Sequence, residues 1–343
     1  MTRILGIETS CDETSAAVLS GGGDTVALES LVILSQDVHR IFGGVVPEIA
    51  SRAHLAAIQP VVDRALSEAG AQVDAVAVTN APGLVGALLV GVSYAKAFAF
   101  ARGIPVIGVH HMEGHLFATA LEHPDAVPPF TALLVSGGHT LLLDVEAWGS
   151  YRLLGRTRDD AAGEAFDKVA KLLGLPYPGG PHVERLAAES DAGALRFARP
   201  MVRRDQRVGD PDFYDVSFSG LKTAVLNATK AASSDAERGA IARAFQDALI
   251  DTLVEKTGRA VRQFGRARVV LGGGVACNRT LVAAMEERFA ERGVRVFAPS
   301  ARLATDNAAM IARAGLFHLE RGERSPLDLN AFASQPIPGL VAA

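Results

Sequence analysis

Two histidines four residues apart, His111 and His115, are the side chains of this sequence best suited to chemistry. Residues at i and i+4 of a helix project from one face, so the two imidazoles would lie close together. Paired imidazoles suit one transition-metal ion. Glu113 points to another face, whereas the zincin protease motif places its glutamate directly after the first histidine. The spacing therefore favours a metal site over a protease.

Asp306 is a further candidate ligand, and the sequence leaves its role open. It precedes an apolar helical stretch, residues 308–312. Side chains at such a position commonly cap the helix, and Thr305 or Asp306 could do so here. A carboxylate at a helix start could equally complete a metal site, and spacing does not decide between the two roles.

Three glycine-rich turns could bind phosphate through the backbone. The N–H groups of Ser136, Gly137 and Gly138 could surround a phosphate, or the turn could be an ordinary hairpin. Residues 272–274 are glycines between a strand and a helix, which allows a nucleotide to approach the backbone closely. They do not form G-x-G-x-x-G, so a Rossmann dinucleotide site is disfavoured. Residues 178–181 form a third, weaker turn.

The elements that must position these residues repeat one arrangement. Residues 3–8 predict a strand, a polar turn carries Asp12 and Glu13, and residues 14–19 predict a strand folded back on the first. Residues 131–145 repeat the strand, polar turn and returning strand. The repeat suggests an internally duplicated fold with two lobes.

Helical stretches and further strands follow each repeat, which is an α/β pattern. One strand, residues 268–271, runs into the triple glycine and then a helix that begins near Asn278. Asp167 lies at another helix start, residues 163–168, where an acid is more often solvated than functional.

The domain boundaries follow from these elements. Residues 193–217 are rich in arginine, aspartate and proline and predict a loop-rich insertion. The last helix is expected near residues 306–322, and the periodicity fades after it. We expect an N-terminal lobe, a C-terminal lobe and a loosely held tail at residues 1–128, 129–325 and 326–343.

Composition sets further limits. With 343 residues the chain is long enough for two lobes, and 49% hydrophobic and 21% charged residues are typical of a globular protein. The net charge of −4 gives no general attraction for nucleic acid, although a local basic face is compatible with it. Two cysteines, Cys11 and Cys277, make no disulfide framework. The apolar window 83–101 contains Lys96 and predicts a buried helix instead of a membrane span. The first apolar stretch carries Glu8, Asp12 and Glu13 and is not expected to be a signal peptide, so we expect a cytoplasmic protein.

Long motifs in a fixed order make the sequence resemble the TsaD family of tRNA N6-adenosine threonylcarbamoyltransferases, formerly called O-sialoglycoprotein endopeptidases. The resemblance covers nearly the whole chain. The matching stretches are residues 6–14, 43–48, 80–84, 110–115, 134–140, 163–168, 177–181, 217–222 and 305–309.

This resemblance implies an actin-like, sugar-kinase-like (ASKHA) fold, in which two related lobes with mixed sheets and flanking helices enclose the active site in the cleft between them. It implies transfer of threonylcarbamoyl from threonylcarbamoyl-AMP to N6 of adenosine 37 in tRNAs reading codons that begin with adenine, with release of AMP. It also implies one metal ion, Fe²⁺ or else Zn²⁺, at the positions matching His111, His115 and Asp306. The adenylate contacts would fall on Leu134, Val135, Ser136, Gly137, Gly138, Asp167, Gly180, Glu184 and Asn278. The position of Glu184 is commonly aspartate in the family.

Two expectations concern the acceptor. Asp12 or Glu13 would assist proton removal, although acids in a polar turn can simply be solvated. The resemblance further implies tRNA as a partner, with a paralogous TsaB-like subunit, a TsaE-like ATPase and a separate synthase for the adenylate. A basic patch for tRNA could lie in the insertion, with Lys168 and Lys171 bordering the cleft, or these side chains could be merely solvated. The insertion's candidate arginines are Arg196, Arg199, Arg203, Arg204 and Arg207.

Three alternative functions are open to this fold. A small-molecule kinase is compatible with it, but kinases hold magnesium through oxygen ligands and do not need a histidine pair. A non-catalytic scaffold would not need His111, His115 and Asp306. A protease is a weaker alternative, because Glu113 is wrongly spaced.

Overall fold

Two units, each built around its own mixed β-sheet, make up the computed structural model, which describes residues 1–23, 25–70 and 72–342. The first unit comprises residues 1–125 and 299–338, and the second comprises residues 126–298 and those from 339 onward. The strands are β1 (Thr2–Glu8), β2 (Glu13–Gly22), β3 (Thr25–Ser35), β4 (Ala75–Ala81), β5 (Val106–His110), β6 (Phe130–Val135), β7 (Thr140–Ala147), β8 (Ser150–Arg156), β9 (Arg268–Gly272), β10 (Arg295–Phe297) and β11 (Leu340–Ala342). The helices are α1 (Pro47–Ala69), α2 (Val85–Arg102), α3 (His111–Glu122), α4 (Ala162–Leu172), α5 (Gly179–Ala188), α6 (Ser219–Ala231), α7 (Asp235–Phe264), α8 (Arg279–Ala290), α9 (Ala301–Ala304) and α10 (Ala308–Glu320).

The sheet of the first unit has the strand order β3-β2-β1-β4-β5. Neighbours are antiparallel from β1 to β3, and β4 and β5 run parallel to β1. Alternate residues of β1 face opposite sides of the sheet. Leu5 and Ile7 pack with apolar side chains of α1 and α2 such as Ile58 and Leu88, whereas Gly6 faces α10. Helices therefore cover both faces, which explains why β1 and β4 are apolar along most of their length.

Helix α2 is long and apolar enough to cross a membrane by length and composition alone. It contacts α1, β4 and β5 in the first unit. The side chains that face these elements are the buried ones, among them Leu88, Val92 and Ala95. The face that packs on the sheet is apolar, and further apolar side chains, Leu89 and Phe100, are exposed on the same helix.

The second unit has a six-stranded sheet in the order β10-β9-β6-β7-β8-β11. Five of its strands repeat the order and directions of the first sheet, with β8-β7-β6-β9-β10 corresponding to β3-β2-β1-β4-β5. The sixth strand, β11, pairs in parallel with the edge strand β8. The core around this sheet includes Phe166, Phe245 and Phe289. The duplication predicted from the sequence is therefore confirmed.

The division of the chain differs from the one expected in its last part. Helix α10 lies in the first unit, because a small residue there, Gly315, lets the helix contact β4 closely. A Cβ at Gly315 would lie only 2.3 Å from Ala77 Cβ. The expected tail is held in place: Lys96 donates to the carbonyl of Leu329, and Ile337 is buried.

The insertion is loop-rich, as its composition predicts. Residues 193–217 contain no helix or strand, and their one ladder contact is a bridge from Val216 to Thr157. Ion pairs anchor the loop to the helices of the second unit, for example Arg199 to Asp251.

Candidate metal centre and phosphate-binding turns

His111 and His115 lie in the first turns of α3, which begins directly where β5 ends. His110 occupies the junction, and its side chain accepts a hydrogen bond from Met112 N, which caps the helix. The side chains of His111 and His115 are 8% and 0% exposed. Their rings are 4.7 Å apart, as the i, i+4 spacing predicts.

Asp306 approaches both histidines, and it does not cap a helix. The cap of α10 is Asn307, whose side chain accepts from Met310 N, so the capping role considered for Thr305 or Asp306 is wrong. One oxygen of Asp306, Oδ1, lies 3.3 Å from His111 Nε2 and 3.4 Å from His115 Nε2. The Asp306 carboxylate is therefore available to a ligand.

Close packing between α3 and α10 brings the three side chains together. Gly114 lies between the histidines, and a Cβ there would stand 2.9 Å from Ile311 Cδ1. The first amide of α10, Ala308 N, donates to Ser15 Oγ on β2. A larger residue at Gly114 would have to displace the Ile311 and Met310 side chains of α10.

The cluster of His111, His115 and Asp306 fits one metal ion. Its candidate ligand atoms lie within 4.8 Å of one another. Two ligands at about 2.1 Å from an ion, at a tetrahedral angle, are about 3.4 Å apart, which matches the separations from Asp306. Both ring nitrogens of His115 are buried, and apart from the 3.4 Å approach of Asp306 Oδ1 to Nε2 neither has a polar partner among the described residues. Since unsatisfied buried polar atoms are costly, a ligand at this point is expected.

Glu8, at the end of β1, orients His111. It is fully buried, and its Oε2 lies 3.1 Å from His111 Nδ1. Its two oxygens also accept hydrogen bonds from Ser10 N and Thr79 Oγ1. A carboxylate behind a metal-binding histidine fixes the ring and its tautomer. Glu8 was not predicted from the sequence, although an acid that ends an apolar strand was a usable signal.

Charges in the cluster shift the pKa values of its members. Burial acts to lower the pKa of His111, but the carboxylates of Asp306 and Glu8 raise it well above its ordinary value. Burial lowers the pKa of His115, which favours its neutral form. Although burial opposes it, the charge of His111 holds the pKa of Asp306 below its usual range. A neutral imidazole and an ionised carboxylate are the forms that bind metals.

Asp12 and Glu13, the two residues expected to assist proton removal, lie in the first unit, as do His111, His115 and Asp306. Asp12 is in the turn after β1, where its carbonyl accepts from Gln36 N, and Glu13 opens β2. Burial, with the nearby charges of Asp306 and Asp12, raises the pKa of Glu13 to about 9. Without a metal ion, Glu13 therefore holds a proton at neutral pH.

The turn between β6 and β7 presents open backbone in the second unit. Ser136 closes it, donating its N–H to His139 O and accepting from His139 N through its hydroxyl. Gly137 and Gly138 are exposed, and a Cβ on either would meet nothing within 4 Å. Their N–H groups have no partner among the described residues. The turn can therefore donate to an anion.

Leu134 and Val135 lead into this turn, and their side chains are fully buried in the sheet. They can offer a ligand only their main chain. Leu134 pairs with Gly272 of β9, so the triple glycine follows β9 at the same edge of the sheet as the turn. A Cβ on Gly273 would lie 2.4 Å from Val135 O, which explains the glycine.

The remaining predicted contacts cluster around α4, α5 and α8. Asp167 accepts from Gly179 N at 2.7 Å and so fixes the start of α5, where Gly180 has open space around it. Glu184, on the same helix, accepts from Arg279 N at 2.7 Å.

The Asn278 side chain already makes hydrogen bonds within the protein that the sequence does not predict. Its Oδ1 accepts from Leu281 N and caps α8, while its Nδ2 donates to Gln246 Oε1. Its side chain can therefore spare at most one further N–H for a ligand. Asn278 and the other expected adenylate residues all lie in the second unit.

A family model and curated relatives match this chain over most of its length. The family model described as TsaD, tRNA N6-adenosine threonylcarbamoyltransferase, matches residues 27–313. The protein of that name from Gemmatimonas aurantiaca is 66% identical over 350 residues, which cover 99% of this chain and 98% of the relative. Its namesake from Anaeromyxobacter dehalogenans is 53% identical over 337 residues, covering 96% and 98%.

Solved structures with low sequence identity share the fold. Full-length HypF, in a phosphate- and nucleotide-bound form, gives a TM-score of 0.61 at 14% identity, covering 97% of this chain and 47% of that chain. A ROK hexokinase from Thermus thermophilus gives 0.50 at 17% identity, covering 94% and 100%. These likenesses confirm the actin-like, sugar-kinase-like fold class. The identities and coverages of the sequence relatives place this chain in the TsaD family of tRNA N6-adenosine threonylcarbamoyltransferases.

Proposed function

We propose that this protein transfers the threonylcarbamoyl group from threonylcarbamoyl-AMP to N6 of adenosine 37 in tRNAs that read codons beginning with adenine. AMP is the other product. The observation that carries the proposal is the cluster of His111, His115 and Asp306, intact in a chain 66% identical to a protein of that name. tRNA is the acceptor that the family name specifies.

His111, His115 and Asp306 would hold one divalent ion. Two histidines and one carboxylate form a donor set typical of non-haem Fe²⁺, and Zn²⁺ accepts the same ligands, so we propose iron first and zinc second. When bound, such an ion supplies Lewis-acid polarisation and orientation of the acyl donor. Glu8 would keep the His111 ring in place.

The second unit would hold the adenylate. The free amides of Gly137 and Gly138 can donate to its phosphate, and a backbone amide cannot compete as a nucleophile. Asp167 would position α5 so that Gly180 approaches the nucleotide, and Glu184 would accept from a ribose hydroxyl. Leu134, Val135 and Ser136 would frame the phosphate with their main chain, and Asn278 would contribute its remaining N–H.

Acyl transfer needs a group that accepts one proton. The N6 nitrogen forms a bond to the carbamoyl carbon, the bond from that carbon to the phosphate oxygen breaks, and AMP leaves. The proton released from N6 would pass to Asp12. Glu13 is the weaker candidate, because its raised pKa, about 9, leaves it protonated at neutral pH before metal binding.

A small-molecule kinase is the less supported alternative. Likeness to a hexokinase at 17% identity concerns the fold alone. Magnesium in phosphoryl transfer prefers oxygen ligands, and the cluster here offers two imidazoles.

Partners follow from the family resemblance. We propose that a paralogous TsaB-like subunit and a TsaE-like ATPase act with this chain in the cytoplasm, and that a separate synthase supplies the adenylate. The test is to incubate the purified protein with these partners, threonine, bicarbonate, ATP and tRNA, and to analyse the nucleosides by mass spectrometry. Threonylcarbamoyladenosine supports the proposal, whereas unmodified adenosine with phosphorylation of added sugars would support the kinase.

A further inference from the structure

A cavity of about 540 Å³ lies in the second unit between the insertion loop and the helices α7 and α8. Its volume is in the range of about 300–1,000 Å³ found for ligand pockets. Arginine dominates its lining, at five positions against two acids. The arginines are Arg199, Arg203, Arg204, Arg259 and Arg288.

The acids of the cavity are already engaged. Asp251 pairs with Arg199 at 2.5 Å. Glu255 is shared by Arg288 at 2.8 Å and Arg259 at 3.2 Å, so a single carboxylate faces two guanidinium groups of the lining. Arg203 pairs with an acid outside the lining, Asp212, at 3.0 Å. Arg204 is exposed and makes no ion pair among the described residues. The cavity therefore carries an excess of positive charge.

The positive surface continues beyond the cavity along the insertion. Arg196 and Arg207 are exposed on the same loop, and neither forms an ion pair within the described part of the chain. Arg196 instead donates to the carbonyls of Gly193 and Leu195. The loop of residues 193–217 carries five arginines and four aspartates. Among the described residues, Arg196, Arg204 and Arg207 are its arginines without an ion pair.

We infer that this cavity and the adjoining loop bind consecutive backbone phosphates of the tRNA substrate, an inference that rests on the proposed function. Guanidinium groups bind phosphate oxygens through paired hydrogen bonds. A single small anion would engage the cavity alone. Arg196 and Arg207, which form no ion pair among the described residues, lie on the loop outside it and fit a polyanion that extends past the cavity. Because the net charge repels RNA, binding has to rely on such a local patch.

The test compares two double charge reversals in the full-length protein. R204E/R207E removes two unpaired arginines of the patch. K230E/R324E makes the same change in net charge at exposed cations that do not line the cavity. An unmodified tRNA transcript is titrated with each variant across a salt series, and inorganic phosphate and AMP are titrated separately.

The inference predicts that R204E/R207E weakens tRNA binding about tenfold or more and lowers the log–log salt slope by about 1.5–2, while K230E/R324E stays near the wild type. AMP binding should not change. Equal tRNA affinity and slope in all three proteins would overturn the inference. Loss of inorganic phosphate binding with unchanged tRNA binding would also overturn it, since the cavity would then take a small anion.

Measurements on the same proteins distinguish a failure of this inference from a failure of the proposed function. Formation of threonylcarbamoyladenosine by the wild type, together with unchanged tRNA binding by R204E/R207E, would contradict the phosphate patch alone. If the wild type binds tRNA through the patch and leaves adenosine 37 unmodified, only the proposed reaction fails.

Discussion

Gly6 of β1 lies directly against the first residue of α10. A Cβ on Gly6 would stand 2.2 Å from the carbonyl oxygen of Ala308 and 2.8 Å from Ala312 N. No side chain can occupy that space without moving the helix. The approach sets the start of α10, and the residue two positions earlier, Asp306, is the one that reaches the histidines of α3.

Gly6→Ala should therefore displace α10 and weaken metal binding. Overpacking of this kind costs about 1–3 kcal/mol of folding stability. We expect a lower melting temperature and reduced metal content by elemental analysis. Gly137→Ala is the matched control, because a Cβ there meets nothing within 4 Å. Wild-type metal content in G6A would show that the Gly6 contact does not set the position of Asp306.

His111→Ala and His115→Ala should each abolish stable metal binding and transferase activity. Each change removes one of the three proposed protein ligands, while the remaining fold is held by the sheet and its helices. Metal content, circular dichroism and activity are measured on each variant. His123→Ala, just after the end of the same helix, is the control and should keep its metal. Full metal content in both ligand variants would rule out the metal assignment.

Glu8→Gln should weaken metal affinity by about 10–100-fold, the range found for residues that orient a metal-binding histidine. Glutamine has only one acceptor oxygen, whereas both oxygens of Glu8 accept hydrogen bonds. Competition with a chelator gives the affinity. Glu113→Gln is the control, because this buried acid on α3 bonds to His318. Equal affinities in E8Q and the wild type would mean that Glu8 has no orienting role.

Glu13 should make the metal-free protein less stable as pH rises. Its pKa is raised from 4.5 to about 9 on folding, so the folded state holds a proton that the unfolded state releases. Stability from this group is complete below pH 4.5 and is lost as pH rises toward 9. The slope is at most about 1.4 kcal/mol per pH unit, and less in practice because the side chain is half-buried.

Urea denaturation of chelator-treated protein between pH 5 and 9 checks this effect, with buffers spaced by about one pH unit. Glu13→Gln carries no charge at any pH, so its stability relative to the wild type should increase steadily with pH. A constant difference between the two proteins would contradict the raised pKa.

The sequence predicted the parts of this molecule that depend on local pattern. The repeated strand, turn and strand units, the pairing of His111 with His115 and the open turn at Gly137 all follow from spacing within a few residues. The position of α10 could not be predicted, because it depends on contacts of Gly6 and Gly315 with residues distant in the sequence. For the same reason, the sequence left Asp306 undecided and did not identify Glu8.

The cavity beside the insertion could not be predicted from the sequence for the same reason. Composition identified Arg203 and Arg204 as part of a basic loop, but their cavity is completed by Arg259 of α7 and Arg288 of α8. Those two arginines look like ordinary solvated helix residues in the sequence. Only the folding of the loop onto α7 and α8 brings the four side chains to one surface.

We propose that this chain itself carries out acyl transfer to tRNA with a metal ion held by His111, His115 and Asp306. The most direct test supplies threonylcarbamoyl-AMP and tRNA to the metal-loaded protein with the proposed partner subunits, and measures threonylcarbamoyladenosine and AMP formed in one turnover. We expect equal amounts of both products from the wild type and neither above background from Asp306→Asn. Equal product formation by D306N, or AMP release without modified adenosine in the wild type, would contradict it.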